Sequence, residues 1–300
     1  MQSPDMTSTG ESIAQGIVYE VRPWQWYKQL IMYVAVVFSG AALDPAAWGR
    51  VTAGAVVFSL TAGATYILND VADREADRNH PRKRHRPIAS GQVPVSVGVA
   101  TSLVGYAVAA AGSWLLDPVF FGLVAVYVGQ NVAYSAFLKQ YLFVDLFSIS
   151  AGFVLRAIAG VVLLSVRLSP WILLCTFLTA LMLGVSKRLG EHDEAADAGA
   201  VRASLDAYST DTLRFLLGVV ATLLLMSYSL YTFFARELEM MATIPFAFYA
   251  VFSYVHLTLE QNGASEPAAL LLVRPMLVNF FVWTVTIILV LYGPPPGGVL

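Results

Sequence analysis

Runs of apolar residues separated by short polar breaks fill most of the chain. Nine runs come close to the ~20 mainly apolar residues that carry a helix across a bilayer. They are 27–43, 51–69, 94–115, 118–138, 142–165, 169–187, 212–234, 241–260 and 275–292. The breaks have helix-start chemistry. Asp44-Pro45, Asp117-Pro118, Ser169-Pro170 and Arg274-Pro275 each put proline where a first helical turn has no use for its N–H. Connections between residues 94 and 165 are very short, so neighbouring spans there run antiparallel. The pattern predicts an all-α, polytopic membrane protein with a polar tail at 1–21 and a single transmembrane domain at 22–300.

Composition agrees with this class. Of the residues, 57% are hydrophobic and 13% charged, against about 25% charged in soluble domains. A net charge of −2 gives no reason to expect a nucleic-acid partner. The one cysteine, Cys175, lies in an apolar run and excludes an internal disulfide. The tail lacks the basic start and small-residue cleavage site of a signal peptide. The basic residues set an orientation. With the N-terminus inside, fourteen of the eighteen Lys and Arg fall on the inner side, three (Arg50, Arg167, Arg236) fall outside, and Arg156 lies within a span. The positive-inside rule then puts the N-terminus and the long polar loops in the cytoplasm of a cell-membrane protein.

The chemistry starts where the second run ends. Asn69-Asp70-x-x-Asp73-x-x-x-Asp77 spaces three acids so that a straight helix carries them on one face. Stacked carboxylates repel unless a cation intervenes, and an oxygen-rich acidic site suits magnesium bridging to phosphates. A solvated helix end, with its acids paired to Arg74 and Arg78, is the plainer alternative. His80-Pro81-Arg82-Lys83-Arg84-His85-Arg86-Pro87 follows at once and could hold phosphate oxygens. The plainer alternative for this loop is contact with anionic lipid. Asp145 and Arg156 sit in the fifth run about three turns apart, and the cost of ionisable groups at that depth turns them toward the bundle interior.

These motifs resemble the UbiA prenyltransferase superfamily. The resemblance rests on the Asn69–Asp77 motif with Lys83-Arg84-x-Arg86-Pro87-Ile88, on Arg22-Pro23-Trp24-Gln25-Trp26-Tyr27-Lys28, and on Tyr134-Ser135-x-x-Leu138-Lys139 running through Asp145 to Leu155-Arg156-Ala157-x-Ala159-Gly160. It implies nine helices around a central cavity open to the cytoplasm. Farther on, Lys187-Arg188-x-x-Glu191 and Arg202-Ala203-Ser204-Leu205-x-x-Tyr208 are similar to the decaprenyl-phosphate phosphoribosyltransferase branch. That branch implies a magnesium-dependent pentosyltransferase. It moves phosphoribose from 5-phosphoribosyl 1-diphosphate to a polyprenyl phosphate, and its product feeds cell-wall arabinan synthesis.

The resemblance further implies Asp73, Asp77, Lys28 and Arg156 as catalytic, and Asn69, Asp70, Asp73 and Asp77 as metal ligands. Substrate would be held by Gln25, Lys28, Arg82, Lys83, Arg86, Tyr134, Lys139, Lys187, Arg188, Glu191, Arg202 and Tyr208. The extra cations at Lys187, Arg188 and Arg202 stand where other members carry a second acidic motif, and they suit a sugar 5-phosphate. Two points stay open: whether Asp193 and Asp197 form a second metal site, and whether copies of the chain associate as a homo-oligomer. The alternative chemistry on this fold is prenyl transfer from a prenyl diphosphate to an aromatic or glycerol-phosphate acceptor. A carrier without turnover is less consistent with a chain that has no clear internal repeat and keeps its acids and bases on one side.

Overall fold

The structure, a computed structural model, describes residues 9–81, 83–167, 169–198, 209–234, 238–260 and 270–293. Every regular element among them is helical. Helix α1 (Thr9–Val21) precedes a 3-10 segment, Pro23–Tyr33, which passes into α2 (Val34–Phe38). α3 (Pro45–Ala72) leads through Asp73 into α4 (Arg74–Arg78), and the short α5 (Pro87–Ser90) follows the basic loop. The remaining helices are α6 (Val95–Leu116), α7 (Pro118–Ala136), α8 (Val144–Leu164), α9 (Pro170–Ala198), α10 (Thr210–Phe234), α11 (Ile244–Glu260) and α12 (Arg274–Tyr292).

Eight segments, α3, α6 to α10, α12 and α11 extended back to Glu239 by a 3-10 turn, are long and apolar enough to cross a membrane. They correspond to eight of the nine predicted runs. Two of the four expected proline starts carry side-chain caps: Asp44 accepts the Ala46 N–H at 2.9 Å, and Asp117 accepts those of Val119 and Phe120. The run at 27–43 takes a different form. From Pro23 to Phe38 the backbone is eleven residues of 3-10 helix and five of α-helix, with a turn after Phe38. At ~2.0 Å per residue and then ~1.5 Å, that path still extends about 30 Å.

Two apolar cores meet on α8. Met32, Phe58, Phe120, Tyr127 and Leu163 form one, joining the 3-10 segment to α3, α7 and α8. Leu146, Val185, Leu213, Leu217 and Tyr254 form the other, joining α8 to α9, α10 and α11. From α6 to α12 each helix packs on the next. Gly160 decides how closely α8 meets the 3-10 segment, because a Cβ there would stand 2.2 Å from the Met32 carbonyl oxygen. Leu103, Val104 and Val108 on α6, with Val278, Phe281 and Leu289 on α12, are exposed. So many large apolar side chains suit hydrocarbon rather than water. α8 therefore carries its polar residues, Asp145 and Arg156, along the seam between the two cores.

Candidate active site

The charged groups of widely separated segments converge at one end of the bundle, where α3 and α9 finish and α8 begins. The kink after α3 reshapes the acidic motif. Asp73 caps α3 with φ −88° and ψ 5°, so the three acids do not share the single face that a straight helix predicts. Asp70 and Asp77 are buried, at 4% exposure each. The Asp73 side chain keeps 48% of its surface.

Each acid has a cation. Arg86 Nη1 donates to Asp70 Oδ1 at 2.8 Å and to Asp77 Oδ2 at 2.6 Å. Arg22 also donates to Asp70. Lys83 Nζ stands 4.0 Å from Asp77, and Lys139 Nζ lies 3.5 Å from Asp73. Ser135 Oγ donates to Asn69 Oδ1 at 2.7 Å. Arg22 has left-handed backbone, φ 56° and ψ 60°, a conformation uncommon outside glycine. Its guanidinium lies 4.9 Å from the centre of the Tyr66 ring, so the ring and Asp70 together hold it in place.

Among the described residues, no group of three His, Cys, Asp or Glu side chains could hold a metal as it stands. The donors nevertheless fit a divalent cation. One Arg86 nitrogen already draws oxygens of Asp70 and Asp77 onto a single positive charge. The Asn69 carbonyl oxygen retains a lone pair beyond its bond from Ser135.

A second region has the opposite balance. Arg156 is 4% exposed. Its Nε donates to Gln29 Oε1 at 2.6 Å, Nη1 to the Gly152 carbonyl at 2.8 Å and Nη2 to the Tyr127 hydroxyl at 2.8 Å. Its remaining contacts are the rings of Phe58, Tyr127 and Phe153. Lys28 donates to Gln25 Oε1 at 2.7 Å and lies 5.9 Å from the centre of the Tyr66 ring. Neither cation meets a carboxylate among the described residues. A cavity of about 340 Å³ opens between α2, the second half of α8 and the start of α9, lined by Val34, Phe38, Ala157, Val161, Arg167 and Ile172.

The third region joins α8 to α9. Arg188 Nε reaches Asp145 Oδ2 at 2.9 Å, and its Nη1 pairs with Glu191. Tyr134 lies beside Arg188. Lys187 lies 3.8 Å from Glu191. Asp145 and Arg156 thus serve different partners. Arg188, expected as a phosphate ligand, is committed to two acids. Arg82 and Tyr208, with the side chains of Asp193, Asp197 and Arg202, lie outside the described residues.

Sequence reasoning missed Glu20. It is 1% exposed and accepts the Ile88 N–H at 2.9 Å through Oε1. Burial, and the Asp70 carboxylate beside it, push its carboxyl up to about 8, well above the usual carboxylate range. Its only sequence signal is an acid two residues before Arg22-Pro23. Gln29 and Tyr127 carried no signal beyond the need of a buried arginine for acceptors.

The sequence matches the UbiA prenyltransferase family over residues 30–291. It is 38% identical over 230 residues to decaprenyl-phosphate phosphoribosyltransferase of Mycolicibacterium smegmatis, covering 74% of this chain and 72% of that one. It is 35% identical over 238 residues to the protein of the same name from Mycobacterium tuberculosis, covering 78% and 79%. The fold resembles that of a UbiA homolog from Archaeoglobus fulgidus bound to DMAPP and Mg2+. The TM-score is 0.72 at 16% identity, covering 92% of this chain and 98% of that one. Motifs, helical bundle and family match agree, and the chain belongs to the UbiA prenyltransferase family.

Proposed function

We propose that the protein transfers the 5-phosphoribosyl group of 5-phosphoribosyl 1-diphosphate to a polyprenyl phosphate and releases diphosphate. The observation that carries this reading is the presence of two separate receivers of negative charge within the bundle. One is the acid–base cluster of Asp70, Asp77 and Arg86. The other is the pair Lys28 and Arg156, whose partners are neutral. A phosphorylated donor and a phosphorylated acceptor need both. The two mycobacterial relatives, similar over about three quarters of the chain, are named for this combination.

In this reading an acceptor phosphate oxygen bonds to the anomeric carbon as the bond to diphosphate breaks, and the electron pair leaves with the diphosphate. The acceptor is already an anion, so no general base is required. Positive charge grows on the sugar and negative charge on the leaving group. Magnesium held by Asp70 and Asp77, with Asn69 and Asp73, would neutralise that leaving charge. Arg86, released from its two carboxylates, turns with Lys83 and Lys139 to the diphosphate oxygens. Lys28, Gln25 and Arg156 take the acceptor phosphate. Lys187 and Arg202 meet the 5-phosphate. Arg188 holds Glu191 and Asp145 in position.

The test is donor choice. Purified protein with magnesium and a polyprenyl phosphate should carry label from radiolabelled phosphoribosyl diphosphate into the lipid phase. Turnover of geranylgeranyl diphosphate with no use of phosphoribosyl diphosphate would assign prenyl transfer instead.

The basic-residue bias supports a cytoplasmic site in the cell membrane. A cysteine placed at Ser90 in a Cys175→Ala background should therefore resist an impermeant thiol reagent in intact cells. Labelling from outside would reverse the topology.

A further inference from the structure

We propose that Glu20 is a positioning residue of the divalent-cation site, adding a third buried carboxyl to Asp70 and Asp77 and tying them to the backbone that carries Arg86. The inference rests on the magnesium reading above.

Glu20 is not a loose tail residue. α1 is packed so closely that a Cβ on Gly16 would stand 2.6 Å from Val93 Cγ2. On α3, a Cβ on Gly63 would stand 2.8 Å from Val21 Cγ1. Gln92 Nε2 donates to the Ser12 carbonyl at 2.7 Å. The helix therefore delivers Glu20 to a fixed place, fifty residues in sequence from the acid it faces.

Its two oxygens have different tasks. Oε1 accepts the N–H of Ile88, two residues beyond Arg86. Oε2 is buried and finds no donor among the described residues. The group beside it is the Asp70 carboxylate. A carboxyl fully out of water and short of a donor is costly. If Glu20 were only a staple for the Ile88 N–H, a neutral amide would serve as well and could donate to Asp70. A carboxyl is the favoured group when a cation sits on Asp70. Magnesium keeps several of its waters, and an acid behind a ligand accepts from such waters and orients the ligand. Glu20 thus links cation binding to the position of the Arg86 loop, so that the cation can replace Arg86 between Asp70 and Asp77.

The probe is Mn2+ added to the purified full chain without substrate, with free ion measured by electron paramagnetic resonance. Glu20→Gln keeps an acceptor for Ile88 and loses the carboxyl that can ionise beside a bound cation. It should bind Mn2+ roughly tenfold or more weakly, the usual scale for a residue behind a metal ligand. Its thermal unfolding without metal should not be lowered. Glu20→Asp keeps the carboxyl and should stay within a few-fold of wild type. Wild-type affinity in Glu20→Gln, or equal losses in the Gln and Asp variants, would overturn the proposal. Asp70→Asn separates the two levels. If it too binds Mn2+ like wild type, the magnesium site itself is wrong. If it loses binding while Glu20→Gln does not, only the role of Glu20 falls.

Discussion

The two charged regions of this site are built on opposite terms. Around Asp70 and Asp77, buried acids are matched by Arg22, Arg86 and Lys83. Around Arg156, a buried cation meets an amide, a carbonyl, a hydroxyl and three aromatic rings. The first region is electrically closed and can work only by exchanging one cation for another. The second is open and becomes balanced when an anion arrives. The contrast assigns cation and leaving diphosphate to one side and acceptor phosphate to the other. It also predicts opposite effects on stability when each is disarmed.

Asp77→Ala should produce the largest effect. It removes a carboxylate from the cation site and leaves Arg86 short of a partner. Metal-assisted charge stabilisation is worth several kcal/mol, so turnover should fall by roughly three orders of magnitude. Breaking a buried ion pair on one side also destabilises, by ~3–5 kcal/mol in fully buried cases. A lower melting temperature should therefore accompany the lost incorporation of label. Activity retained at saturating magnesium would contradict the assignment.

Arg156→Met comes next and sharpens the contrast. A charge-assisted contact is worth ~1.5–3 kcal/mol, so affinity for the polyprenyl phosphate should fall roughly ten- to a hundredfold. Removing a buried charge that has no counter-ion relieves desolvation, so the melting temperature should hold or rise. A fall as large as that of Asp77→Ala would mean that Arg156 is structural and that the two regions are alike.

The smallest effect should come from Lys187→Ala. This side chain is about half exposed, and its nearest acid, Glu191, is 3.8 Å away. Its contact with a 5-phosphate is screened by solvent and salt. The expected loss is a few-fold in apparent affinity for phosphoribosyl diphosphate, with none for the lipid phosphate. Arg188→Ala should behave differently, lowering stability because it leaves Asp145 buried without its arginine. Equal, sugar-specific defects in both variants would break the distinction between a phosphate ligand and a positioning residue.

What the sequence made legible follows from which forces are local. Eight spans are visible as apolar runs, four of them started by proline, and the caps at Asp44 and Asp117 lie next to the N–H groups they satisfy. The ninth run shows why hydropathy stops short. It counts apolar residues but is blind to hydrogen-bond register, and the close approach of Gly160 to Met32 comes from a helix more than a hundred residues away. The acidic motif was visible as spacing, yet the spacing assumed a straight helix and the chain turns at Asp73. The sign of Arg188 was plain, but its partner Asp145 is 43 residues distant. Glu20 was hidden for the same reason: it is an acid in a polar tail until α1 folds against Ile88 and Asp70.

The central claim is that the sugar moves with its 5-phosphate while diphosphate departs, and a double label tests it directly. Phosphoribosyl diphosphate carrying one radiolabel in the 5-phosphate and a second in the diphosphate is incubated with the protein, magnesium and a polyprenyl phosphate. The account predicts that the 5-phosphate label enters the lipid phase and that the diphosphate label is released in equal amount as inorganic diphosphate. Diphosphate label in the lipid, or no label there while a prenyl diphosphate is consumed, would contradict it.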